Sequence, residues 1–122
     1  MTALHYAVMG KSPEMMRLLL ERNAPPDMRA NDGNTPLHMA ADLGWAEGMT
    51  ILIGAGADIN MRNTEGRTPM HLAAKGGHVD AAKLLLDHGV ILNVPDRSGL
   101  TPVRLVESAE MAKLLESHGA TD

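Results

Sequence analysis

Apolar residues in this chain fall in short blocks at helical spacing, broken at regular distances by glycine, proline and asparagine. Met15, Met16, Leu18, Leu19 and Leu20 recur three and four apart, as do the apolar positions of 47–53 and 79–87, and each block predicts an amphipathic helix. Each ends on a residue suited to a left-handed helix exit: Asn23, Gly56 and Gly89. A shorter block precedes each of them. Leu4, Tyr6, Ala7 and Val8 form the first, Leu37 and Met70 open the next two, and Gly44 and Gly77 end those. Between successive pairs lie Asp32-Gly33-Asn34 and Glu65-Gly66-Arg67, turn sequences with glycine available for positive φ. The pattern predicts pairs of short antiparallel helices joined by turns.

The pairs repeat. Thr35-Pro36-Leu37-His38-Met39-Ala40-Ala41 returns as Thr68-Pro69-Met70-His71-Leu72-Ala73-Ala74. Thr2-Ala3-Leu4-His5-Tyr6-Ala7-Val8 precedes them, and Thr101-Pro102-Val103-Arg104-Leu105-Val106 follows. The threonines stand at 2, 35, 68 and 101, so the period is 33 throughout. Each phrase is a helix start. Threonine caps the first turn with its hydroxyl, proline fits where the amide has no helical partner, and histidine three residues on can bond back as the acid of a capping box does. The alanine pair lets two helices approach closely.

This phrase and period resemble those of ankyrin repeats, and the resemblance covers nearly the whole chain. It implies an all-α ankyrin-repeat solenoid of helix-turn-helix units with β-turn or hairpin fingers. One domain over 1–122 is expected, with units near 1–29, 30–62, 63–95 and 96–122. The first unit lacks the leading finger and has Pro25-Pro26 where the second has Asp58-Ile59. Its apolar Leu4, Val8 and Met16 point to a stack cut from a longer array. The fourth unit is three residues shorter, 18 against 21 from threonine to closing glycine. It carries Arg104 for histidine and introduces Glu107 and Glu116. Such polar drift suits a terminal repeat and a true chain end. Gly48 lies inside a predicted helix and implies a close contact there.

Composition narrows the chemistry. Aromatic residues are 2% of the chain and Phe is absent, so the core must be aliphatic, with the 10 Met supplying much of it. Most methionines are expected to pack inside, with Met15, Met16 and Met49 as candidates for an adhesive surface. No Cys is present, which removes disulfides and thiolate metal sites and makes an intracellular setting, cytoplasmic or nuclear, the expectation. No apolar run approaches membrane-spanning length, and the net charge of −4 is dispersed; neither membrane nor nucleic acid is expected as partner. His5, His38 and His71 occupy one repeated position, about 8–10 Å apart on adjacent helices. That spacing cannot gather ligands around one metal ion, so structural capping is their expected role. His78 fits a structural Gly-His turn, and His88 and His118 fit helix C-termini. No nucleophile-base arrangement or phosphate-binding loop is present. No cofactor and no catalytic activity are expected.

What remains is a surface. In ankyrin proteins the fingers and first helices line a concave side that contacts partner proteins, and the resemblance carries that role to Arg29, Asn31, Asp32, Asn34 and Leu43. It carries it likewise to Arg62, Thr64, Glu65, Arg67 and Lys75, and to Arg97, Ser98 and Leu100. With Asp42 included, these positions hold five basic and three acidic residues, a balance of +2 on a chain of −4. Such a face favours a partner protein with an acidic or polar segment. Trp45, at a turn position held by His78 one period later, is a candidate anchor, or a cover for the neighbouring turn. The expected function is non-catalytic protein–protein binding by a monomer. The alternatives are a regulatory or substrate-recruiting ankyrin segment of a larger enzyme or scaffold, and a repeat protein that self-associates through its first unit.

Overall fold

A computed structural model describes residues 1–121. Within them the chain is all-α, without a strand. The helices are α1 (Ala3–Met9), α2 (Pro13–Glu21), α3 (Pro36–Leu43), α4 (Ala46–Gly54), α5 (Pro69–Gly76), α6 (Val79–Asp87) and α7 (Ala109–Ser117). A single 3-10 turn, Pro102–Leu105, precedes α7. α1, α3, α5 and the 3-10 turn stack in one layer, and α2, α4 and α6 stack in a second behind it.

The helix starts follow from the repeated phrase. The hydroxyls of Thr2, Thr35 and Thr68 accept from the amides of His5, His38 and His71, and each histidine ring reaches back to the threonine amide. Between the layers lies one apolar core. It holds Leu4, Val8, Leu37, Met70 and the alanine pairs of α3 and α5 from the first layer, and Met16, Met49, Leu52 and Leu85 from the second. Met111 and Leu115 extend it through α7. Methionine therefore divides by position. Met16, Met49, Met70 and Met111 are wholly buried, whereas Met1, Met9, Met15 and Met28 are exposed. Of the three methionines expected as surface candidates, only Met15 is one. Leu4, Val8 and Met16 also belong to the core rather than to an outer face; the exposed apolar residues of the first pair are Tyr6, Met9, Met15 and Leu18.

The fourth pair shows what its missing residues remove. Ser108 caps α7 seven residues after Thr101, whereas His78 opens α6 ten after Thr68. Too little chain is left for a full first helix, and one 3-10 turn forms instead. Arg104 stands exposed where histidine would close the capping box, and the Thr101 hydroxyl donates to the Thr121 carbonyl at 2.7 Å.

Gly48 is explained by Trp45. A Cβ on Gly48 would lie 2.3 Å from Cε3 of the indole, which crosses the first turn of α4 and is half-buried against the core. In an open helix, alanine would be favoured over glycine by about 0.5–1 kcal/mol. Here the ring occupies the space. Gly48→Ala should lower stability in urea unfolding by about 1 kcal/mol. In a Trp45→Ala background the same substitution should instead raise stability by about 0.5–1 kcal/mol. Equal effects in both backgrounds would show that the indole does not dictate the glycine.

Candidate partner-binding face

Each finger is a tight turn closed by two backbone bonds. In the first, Gly33 N donates to Ala30 O at 2.9 Å and Ala30 N to Asn34 O at 2.8 Å. Gly66–Asn63 with Asn63–Arg67, and Gly99–Asp96 with Asp96–Leu100, repeat the pattern at the same distances. The glycines have positive φ, and at Gly33 a Cβ would meet Thr64 N at 2.5 Å, so the turn demands glycine twice over. The fingers are also joined to each other: Thr64 N donates to Asp32 O at 3.0 Å, and Arg97 N to Glu65 O at 2.9 Å. They form a continuous ladder of turns, not hairpin strands.

Side chains reinforce that ladder at every level. His5, His38 and His71 place Nε2 at 2.8, 2.8 and 2.9 Å from the carbonyls of Asn34, Arg67 and Leu100, the last residue of the following finger. Because Nδ1 accepts from the threonine amide, the network assigns the proton to Nε2, which donates to the carbonyl. Thr35 and Thr68 hydroxyls donate to Nδ1 at 2.9 Å. Asn63 and Asp96, buried at the first position of their fingers, accept two amides each through Oδ1: Glu65 and Arg67 for the former, Ser98 and Leu100 for the latter. A third set holds the second layer together. The side chains of Asp27, Asn60 and Asn93 accept from Asp58, Ile91 and Thr121 amides. Asn63, Asp96 and Asp27 did not stand out in the sequence, although their 33-residue register with neighbours marks them.

The arginines of the expected site have a double place. Arg29 Nη1 donates to the carbonyl of Arg62, and Arg62 Nη2 donates to that of Pro95 at 2.6 Å, so each clamps the finger that follows. Arg67 pairs with Asp96 at 3.2 Å and Glu65 at 3.7 Å. Asn34 accepts from Asn63 Nδ2 at 2.8 Å, and Leu100 is half-buried. Asn31, Asp32, Leu43, Thr64, Glu65, Lys75, Arg97 and Ser98 are exposed. Lys75 and Arg97 form no ion pair among the described residues. Counting Asp96 with the face lowers its balance from +2 to +1. The other histidines sit at backbone carbonyls: His78 Nε2 is 2.9 Å from Asp42 O, and His88 and His118 Nδ1 are 2.9 Å from Leu84 O and Leu114 O. Among the described residues no group of histidines and carboxylates could hold a metal, and no helix is long and apolar enough to cross a membrane.

Stacked helix pairs with bonded fingers define a repeat solenoid, and comparison with known proteins gives the family. The model of ankyrin repeats in three copies matches residues 1–63 and 44–121. The chain belongs to the ankyrin repeat family. It is 46% identical over 43 residues to NF-kappa-B inhibitor alpha of Sus scrofa and 44% identical over 43 residues to that of Homo sapiens. In both cases this spans 35% of the chain and 14% of the relative. A Caenorhabditis elegans homologue of transient receptor potential cation channel subfamily A member 1 is 44% identical over 41 residues, 34% of the chain and 3% of that protein. Ankyrin repeats are in general protein–protein interaction modules.

Burial pushes the His38 and His71 imidazoles below their ordinary 6.5, against the upward pull of the Arg67 and Leu100 carbonyls. Below pH 6.5 the unfolded chain therefore binds more protons than the folded one. Stability present above that pH is lost as pH falls toward the folded values, by at most about 1.4 kcal/mol per pH unit for each ring. Urea midpoints should decline from pH 7 to pH 5, and His71→Gln should flatten the decline. At Asp96, burial opposes ionisation, but the Leu100 amide, the Arg67 guanidinium and the Ser98 amide together hold the carboxyl below its usual 3.8. Asp96→Asn, which copies Asn63, should cost about 1 kcal/mol, and Asp96→Ala about 2–3 kcal/mol by thermal unfolding, because two finger amides lose their acceptor.

Proposed function

We propose that residues 1–122 act as one non-catalytic protein-binding module of four units, at 1–29, 30–62, 63–95 and 96–122, whose concave side docks the partner. What supports this reading is the division of labour along the fingers. Backbone groups, buried Asn63 and Asp96, and the inward bonds of Arg29, Asn34, Arg62 and Arg67 lock the ladder. Asn31, Asp32, Thr64, Glu65, Lys75, Arg97 and Ser98 are left exposed in fixed places, beside the exposed Leu43. Side chains ordered in advance lose less entropy on binding. Lys75 and Arg97, which form no ion pair among the described residues, favour an acidic or polar segment in the partner. Trp45 and Leu100 flank this surface as half-buried apolar contacts. The resemblance to NF-kappa-B inhibitor alpha, a protein named as an inhibitor of NF-kappa-B, agrees with a protein ligand.

A second reading has its own support. The matched segment is 14% of the inhibitor's length and 3% of the channel homologue's, so repeats like these also lie within longer proteins, and the alternative is a recruiting or regulatory segment of a larger enzyme or scaffold. Both readings place the contact on the same face.

Photo-crosslinking residues installed singly at Thr64, Ser98 and Lys83 test it. Adducts from Thr64 and Ser98 but not from Lys83, on the outer side of α6, are expected, and Lys75→Ser with Arg97→Ser should weaken capture about tenfold. Adducts from Lys83 alone would move the binding surface to the second layer.

A further inference from the structure

The outer side of the first helix pair is apolar where the later pairs are covered. Tyr6 is 60% exposed, Met15 47% and Leu18 41%. One and two periods on, Met39 and Leu72, Gly48 and Ala81, and Ile51 and Leu84 are buried or half-buried. Met15 and Leu18 of α2 continue into its C-cap residue Arg22 at spacings of three and four, so the three share a stripe, with Glu14 along its edge. Glu14 and Arg22 are exposed and form no ion pair among the described residues.

We propose that this face binds a second copy of the chain about a two-fold axis passing by Leu18, with α2 antiparallel to its counterpart. The charge order selects that occupant. Reversing the helix about residue 18 sets position 14 of one copy opposite position 22 of the other, so Glu14 meets Arg22 of the second copy twice. Leu18 meets its own equivalent at the centre, and Met15 packs beside it. The hairpin turns back at residues 10–12, which brings Tyr6 to within about 3 Å of the height of Leu18 and adds its ring to the same contact. An isologous contact of this kind closes on itself and stops at two copies. Head-to-tail stacking lacks a matching surface, because the far end of the array presents Arg104, Glu107, Glu110 and Lys113, all exposed. This dimer takes up the alternative of self-association through the first unit, in place of the monomer that the sequence favours. It leaves both sets of fingers free, so a particle carries two concave faces and gains avidity for a repeated ligand.

Sedimentation equilibrium of the full chain from about 1 μM to about 500 μM tests the proposal. A reversible monomer–dimer equilibrium is expected. Leu18→Glu and, separately, Tyr6→Lys should remain monomeric throughout with unchanged circular dichroism, since both side chains are exposed. Glu14→Arg alone should weaken the dimer about tenfold or more, and Glu14→Arg combined with Arg22→Glu should restore it to within about threefold, because the exchanged pair is again self-complementary. A wild-type chain that stays monomeric up to the highest concentration would overturn the proposal and leave the face to a further helix pair or to another protein. A dimer indifferent to Leu18→Glu, or a charge exchange that fails to restore association, would overturn it as well.

Discussion

The bridge from threonine through histidine to the next finger is the constraint on which the stack depends. A single imidazole closes the capping box of its own helix with Nδ1 and holds the carbonyl of the following finger with Nε2. Helix start and unit-to-unit spacing are thereby set by one side chain. Neither bond competes with water, because His38 and His71 are wholly buried, and the buried side-chain nitrogen and oxygen atoms of the described residues all find partners. The arrangement works only with a neutral ring, since a proton on Nδ1 would face the threonine amide. The fold is for that reason tied to pH at its most repeated contact.

The same economy governs the concave face. A finger has few residues, and its first position, its glycine and its last carbonyl are all committed to turn geometry or to the neighbouring unit. Side chains at intermediate positions are what is left to meet a partner. Arg62 and Arg67 show how the two duties overlap: each guanidinium is bonded to the next finger, so its charge contributes to the surface while its position is dictated from within. The Lys75 and Arg97 side chains form no such bond among the described residues. Specificity in a surface built this way resides in residues whose replacement leaves the ladder intact.

The two ends of the stack differ physically. At the far end the capping box is absent, the first helix shrinks to a 3-10 turn, and exposed charges take the outer positions. At the near end the helices are complete, with a full capping box at Thr2 and His5, yet the outer stripe remains apolar. An outer face of exposed charges is satisfied by water, whereas an exposed apolar stripe is a surface suited to contact.

The repeat, the helix pairs, the capping role of the histidines and the glycine exits were legible from the sequence, because each rests on local chemistry repeated at a fixed register. The 33-residue period also carried the family, since the same short phrase must build the same junction each time. Tertiary structure decided the rest. Leu4, Val8 and Met16 read as outer residues until packing placed them in the core and turned Tyr6, Met15 and Leu18 outward, a difference of helix face that composition does not carry. Gly48 was recognisable as anomalous, but only the position of the Trp45 ring explains it. The three residues missing from the last unit were countable, whereas their consequence, a lost helix, depended on how much chain spans Thr101 to Ser108. Asn63 and Asp96 look like ordinary polar residues of a loop. Their burial, and with it the rigidity of the fingers, exists only once the neighbouring unit has closed over them.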